Sequence, residues 1–246
     1  MHEVEQLFAR MVMVEPYPKG MIKPKPRIQG RAFFPGGAGL WITDKSKPWP
    51  PMPVNKIMIL GQDFDCERGF DTSLKRGEER NSTWRNLIAL LESVNIRLED
   101  CFFTNAFMGI REGTKAKGPS PAIKDQAFVG RCRQFFLEQV KMQKPRVIFA
   151  LGLYVPPFLS PLAQELGVWE GVENFKDIDG PGSQIIKGVR FPGQHDLSIN
   201  VIALTHPSYR MLGNVVGNVK HRRYKTLMGN DAEIELIKDA VAGLQF

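Results

Sequence analysis

The chain has 246 residues, 43% of them hydrophobic, which is enough for one sizeable core and compatible with one or two domains. A formal charge of +7 with a pI near 9.4 points toward a polyanionic partner such as nucleic acid or a membrane surface. Apolar residues are spread along the chain, which excludes global disorder, and no apolar run is long enough to cross a bilayer. Glu3, Glu5, Arg10 and Glu15 interrupt the N-terminal stretch, so it holds no secretory apolar core. Cys66, Cys101 and Cys132 are odd in number and far apart, as expected of free thiols in a reducing, cytoplasmic compartment. No close Cys pair is present to hold a metal or an iron–sulfur cluster, so neither a metal nor another cofactor is expected.

In chain order, residues 3–13 read as a short helix. Residues 15–53 are rich in Pro, Gly and Lys, and the prolines forbid a regular helix. Phe33, Phe34, Trp41 and Trp49 favour an extended arm packed on a domain over a disordered linker. The domain division is therefore 1–53 for the helix and arm and 54–246 for the folded domain. "KIMIL" (56–60) is a strand. "STWRNLIALLESV" (82–94) carries Trp84, Leu87, Ile88, Leu91 and Val94 at helical spacing behind Ser82 as a cap. "DCFFTNA" (100–106) is a second strand. "SPAIKDQAFVGRCRQFFLEQVK" (120–141) is predicted as a helix opened by Ser120 and Pro121. "PRVIFALG" (145–152) is a third strand, followed by a helical piece broken at Pro156, Pro157 and Pro161. A long loop around "FKDIDGPG" leads to a fourth strand within "SINVIALTHPS" (198–208). Two helices, near 215–228 and 231–244, close the chain.

This alternation implies parallel pairing with right-handed crossovers, and strands that are apolar throughout imply helices on both faces. The expected fold is an α/β three-layer sandwich around a central, mainly parallel four-stranded sheet. Ligands of such sheets bind beyond the carboxyl ends of the strands. The residues found there are Gln62, Asp63, Phe64 and Asp65; Thr104 and Asn105; Gly152; and Thr205, His206 and Ser208. Each has an ordinary structural alternative: Asp63 as a turn cap, Asn105 as a partner for turn backbone, His206 as a hydrogen-bonded core histidine. Together they put an acid, an amide and an imidazole at equivalent positions. Between Asp196 and Asp231 there is no acidic residue, while Arg210, Lys220, Arg222, Arg223 and Lys225 fall in that interval. Such a basic segment beside His206 suits phosphate binding, with a solvated helix face as the alternative.

"GQDFD", "FFTNA", "PRVIFALG" and "LTHPS", in that order and on that pattern, resemble the uracil-DNA glycosylase superfamily over roughly residues 54–228. The resemblance implies a metal-free enzyme that acts on DNA, without a membrane and as a monomer. Such an enzyme flips a pyrimidine nucleotide, hydrolyses its N-glycosidic bond and leaves an abasic site. By resemblance Asp63 positions water and stabilises the cationic sugar, Asn105 reads the pyrimidine edge, and His206 hydrogen-bonds the base O2, with Gln62 beside them. Ser208, Tyr209, Arg210, Met211, Lys220, Arg222 and Arg223 become the DNA-binding set. Met211 or Leu212 is then the apolar wedge for the vacated stack, with Tyr209 and Arg210 also placed to serve.

Three departures from the family pattern matter. The best-known branch follows its acid with proline and a tyrosine that excludes a methyl at carbon 5; here Phe64 and Asp65 stand there. A smaller, polar gate admits a 5-substituted pyrimidine, such as the modified cytosines of some phage genomes, which makes antiviral defence an alternative to DNA repair. The aromatic that stacks on the base falls near Arg76 by family spacing; Phe70 is the substitute chosen here over Trp84. The four cysteines of the iron–sulfur branches are missing. A DNA- or abasic-site-binding module without turnover is the alternative from another class.

Overall fold

The computed structural model describes residues 3–24, 51–76, 82–115, 117–180, 182–194, 196–210 and 218–244. Most of the expected arm, residues 25–50, lies outside them. Helix α1 (Glu3–Arg10) runs through a 3-10 turn toward the short strand β1 (Met21–Ile22). The alternation then follows: β2 (Ile57–Gly61), α2 (Glu67–Arg76), α3 (Ser82–Ser93), β3 (Cys101–Asn105) and the short β4 (Ile110–Arg111). After them come α4 (Gln126–Gln143), β5 (Val147–Leu151), α5 (Val155–Leu159), α6 (Phe175–Ile178), β6 (Ile185–Val189) and β7 (Ile199–Leu204). A hairpin of β8 (Arg223–Tyr224) and β9 (Leu227–Met228) precedes α7 (Gly229–Val241).

The central sheet has the order β3-β2-β5-β7-β6. Its first four strands are parallel, so their carboxyl ends share one edge. Side chains alternate across a strand, and here both sets are apolar. Met58, Leu60, Phe102, Ile148, Ala150, Val201 and Ala203 join a core cluster with residues of α1, α4 and α5. Ile57, Ile59, Cys101, Phe103, Val147, Phe149, Ile202 and Leu204 join a second one with α3 and α7. Two cores on opposite faces of one sheet make the three-layer sandwich.

The sheet carries one strand more than the four expected. Strand β6 runs antiparallel to β7 out of the region read as a long loop, and its pairing slips between Ile186 and Val189. Gly188 sits in that slip at φ 73°. Lys187 and Gly188 interrupt the apolar run that marks a strand in sequence, because an edge strand faces the core on one side only. The helix expected over 215–228 is also corrected from residue 218 on, residues 215–217 lying outside the described ones. Residues 218–221 form a 3-10 turn and 223–228 the β8–β9 hairpin, with Lys225 at φ 52° in its turn. The helix expected to open at Ser120 starts later. Ser120 caps a 3-10 turn over Pro121–Lys124, and Asp125 caps α4 proper by accepting from the Phe128 N–H at 2.9 Å. Helix α4 ends at Gln143 with Lys144 as a left-handed C-cap, and Pro145 after it has no N–H with which to continue the helix.

Candidate active site

The Asp63 loop is held by continued pairing beyond the sheet edge. The Ala106 N–H donates to the Gly61 carbonyl and the Phe107 N–H to the Gln62 carbonyl, both at 2.8 Å. Further out, Phe64 N–H donates to Gly109 O at 3.2 Å and Arg111 N–H to Asp65 O at 2.9 Å. The two segments that follow β2 and β3 therefore leave the sheet as one braced unit. Within it the Asp63 side chain is buried. Its Oδ2 accepts from Arg111 Nε at 2.7 Å, and its Oδ1 from the Asp65 N–H at 3.3 Å. Burial pushes the Asp63 pKa above the ordinary aspartate value; the Arg111 charge and hydrogen bond, and the Ser120 hydroxyl, hold it back.

Asn105 ends β3 opposite Gly61 and is 1% exposed. Neither its side-chain oxygen nor its side-chain nitrogen has a hydrogen-bond partner, and the Gln62 side-chain nitrogen lacks one too. Leaving a buried amide group unpaired costs about 1–3 kcal/mol, so such a group in a folded protein calls for an explanation. An amide presenting both a donor and an acceptor fits a ligand edge that offers the complementary pair.

His206 follows β7, two residues after its end. Its Nδ1 accepts from the Ser208 N–H at 3.3 Å and lies 2.8 Å from the Ser208 hydroxyl. An Nδ1 that accepts a backbone N–H leaves the proton of the neutral ring on Nε2, which makes Nε2 the donor. Burial, and then the nearby Arg111 charge, push the His206 pKa down to about 4, against an opposing pull from Asp65. These influences tie His206 to the same locale as Arg111 and Asp65. Gly152 at the end of β5 is required there. It sits at φ 88°, and a Cβ on it would stand 3.2 Å from the His206 Cβ. Asp65 is at φ 72°, a region that aspartate tolerates better than most residues, and its Oδ1 accepts from the Cys66 N–H at 2.6 Å. A Cβ on Gly69 would lie 2.5 Å from Asp65 Oδ2, so only glycine lets this carboxylate settle against α2.

The basic segment divides in two. Ser208, Tyr209, Lys220 and Arg223 are exposed, Tyr209 at 46%. Arg210 and Arg222, expected on the DNA face, are instead 5% and 2% exposed. Both pair with Glu233 of α7, Arg222 at 2.7 Å, and Arg222 also pairs with Asp179 at 2.9 Å. Glu233 Oε1 accepts in addition from the N–H and hydroxyl of Thr205, at 2.8 and 2.7 Å. Two guanidiniums thus bind a carboxylate beneath the His206 loop, where a buried acid left without a paired cation would be costly. Asn86 of α3 completes the support by donating to the carbonyls of Pro207 and Arg210. Met211 and Leu212 lie outside the described residues. Phe64 and Phe70 are enclosed in the first core cluster, so the stacking expected of Phe70 meets no accessible ring face.

Sequence reasoning missed Arg111 and Glu233. Glu233 had a usable signal: it shares a helical stripe with Leu236, Ile237 and Ala240, all buried. Arg111 closes the apolar run "AFMGI" and is followed by Glu112, so it reads as the start of a charged loop. Among the described residues no group of His, Cys, Asp and Glu is arranged to hold a metal ion, and no helix is long and apolar enough to cross a membrane.

The fold and edge define a class: a parallel α/β sheet presenting a buried carboxylate, an unpaired amide and a neutral imidazole donor. The family model for the uracil DNA glycosylase superfamily matches residues 53–226, and the chain belongs to that superfamily. A search of curated proteins finds no match.

Proposed function

We propose that this protein is a monofunctional DNA glycosylase that takes a pyrimidine nucleotide out of the stack and hydrolyses its N-glycosidic bond. The observation that carries the reading is the buried, unpartnered Asn105 amide at the edge that also bears Asp63 and His206. A flipped base offers its pairing edge to such an amide. Breaking the bond from C1′ to the base nitrogen leaves positive charge on the sugar and negative charge on the base. Ionised Asp63 stabilises the first and orients the water that bonds to C1′. The Nε2–H of neutral His206 donates to the oxygen on which the second develops, a placement for which preorganised donors are commonly the largest catalytic contribution. Lys220 and Arg223 supply phosphate contacts, and Tyr209, also exposed, lies next to the His206 ring.

The second reading concerns the base. Asp65, at the position of the family's gating tyrosine, supports a 5-substituted pyrimidine carrying hydroxyl groups, and with it a role against modified foreign DNA rather than in repair. The decisive assay offers labelled oligonucleotides containing uracil, thymine mismatches or 5-modified cytosines, followed by alkali. Base release without direct nicking is expected; tight binding with every base still attached would instead indicate a binding module. Asp65→Asn tolerates the same backbone conformation and is expected to lower excision of hydroxylated substrates relative to uracil. An unchanged preference removes the gate.

A further inference from the structure

We propose that Arg111 is the positioning residue of this site: one guanidinium, anchored at both ends, aims the Asp63 carboxylate and sets the charge seen by Asp63 and His206 together. The inference rests on the glycosylase reading only for its kinetic test. Arg111 is fixed from three directions. Its backbone N–H donates to Asp65 O at 2.9 Å and its strand pairs with β1, Met21 opposite Arg111. Its Nη2 donates to the Gly118 carbonyl at 3.0 Å, which leaves Nε to meet Asp63 Oδ2 at 2.7 Å. A side chain tied at its tip and at its root cannot follow the carboxylate; the carboxylate must come to it. With Oδ2 held by Arg111 and Oδ1 turned toward the Asp65 N–H, the rotation of Asp63 is defined before substrate arrives.

The electrostatic consequence runs in two directions. Arg111 lowers the Asp63 pKa against burial and lowers that of His206 in concert with burial. The other groups that bear on the pair are Asp65, which raises the His206 pKa, and the Ser120 hydroxyl, which hydrogen-bonds Asp63. A carboxylate kept anionic and an imidazole kept neutral are what a cationic sugar and an anionic base require. One buried cation favours both, although its charge also opposes the developing sugar cation. Its benefit is therefore orientation and protonation state rather than direct stabilisation of the transition state.

The test compares wild type, Arg111→Gln and Arg111→Lys in single-turnover base release across pH, and follows the His206 ring by NMR titration. In Arg111→Gln the acid limb of the rate profile is expected to move up by about one pH unit, and the His206 midpoint to rise from about 4 in the same direction. Arg111→Lys keeps the charge but not the two-ended anchor. Its His206 midpoint is expected near that of wild type, with base release slowed at least about tenfold. A purely structural role lowers the rate by one factor at all pH values; an unmoved acid limb and an unmoved His206 midpoint in Arg111→Gln overturn the proposal. If Arg111→Gln does not fold, Arg111→Lys decides, and a wild-type rate there overturns it. The NMR titration needs no substrate. Absence of base release by wild type defeats the glycosylase reading, whereas a His206 midpoint in Arg111→Gln that stays at the wild-type value, with the acid limb unmoved, defeats the role of Arg111.

Discussion

Replacing Glu233 by leucine tests the support beneath the His206 loop. The carboxylate is 1% exposed and meets the Thr205 N–H, the Thr205 hydroxyl, Arg222 and Arg210. After the change Arg222 still has Asp179 at 2.9 Å and the Ala203 carbonyl at 3.1 Å. Among the described residues, the guanidinium of Arg210 then keeps the neutral Asn230 oxygen, at 3.2 Å, as its remaining hydrogen-bond partner. The main cost is thus a buried Arg210 without a counter-ion, about 3–5 kcal/mol, with the orphaned Thr205 N–H adding to it. For a chain of this size that corresponds to a fall in Tm of roughly 6–20 °C. Urea and thermal unfolding of the full chain measure it. Adding Arg210→Met should restore part of the loss, because the stranded charge leaves with its partner. A single-variant loss under about 1 kcal/mol, or a double variant no more stable than the single, would refute this account of the cluster.

Asp63→Asn is expected to slow base release by about 10²–10³-fold while DNA affinity holds; equal rates would remove Asp63 from the chemistry. His206→Leu deletes the Nε2 donor and should cost about 2.7–4 kcal/mol in the rate barrier, read as single-turnover kinetics. Because the His206 pKa is depressed to about 4, its ring stays neutral above that value, and the rate should show no His206 titration near pH 6.5. Between those two pH values the unfolded chain takes up a proton that the folded ring refuses, so the His206 contribution makes stability fall as pH falls through the window. Lys220→Ala and Arg223→Ala should each lower the salt slope of DNA binding by about 0.7–0.9, whereas Arg210→Met should leave it unchanged and lower stability instead.

Much of the fold was legible because strand cores such as "IMIL" and "VIFAL" are apolar on both faces and alternate with helical segments, a pattern that a covered parallel sheet explains. The carboxyl-edge rule then located Asp63, Asn105 and His206 without coordinates. What escaped was tertiary in origin. Strand β6 is an edge strand with a bulge, so its sequence carries neither a full apolar run nor a clean alternation. The 218–228 region has enough apolar and basic residues to mimic a helix, yet the left-handed Lys225 turns it into a hairpin. Arg210 and Arg222 read as phosphate ligands because charge alone does not reveal a partner. Their partner, Glu233, lies on another element and becomes visible only once α7 packs on β7.

Both struts of the candidate edge come from outside the stretch shared with the superfamily, residues 53–226. Met21 of β1 lies across from Arg111 on one flank, and Glu233 of α7 holds Thr205 on the other. Trimming the polypeptide to the shared stretch would keep Asp63, Asn105 and His206 and discard both braces. The geometry of that edge and global folding should therefore be lost together on truncation, since the flanks and the edge belong to one cooperative unit.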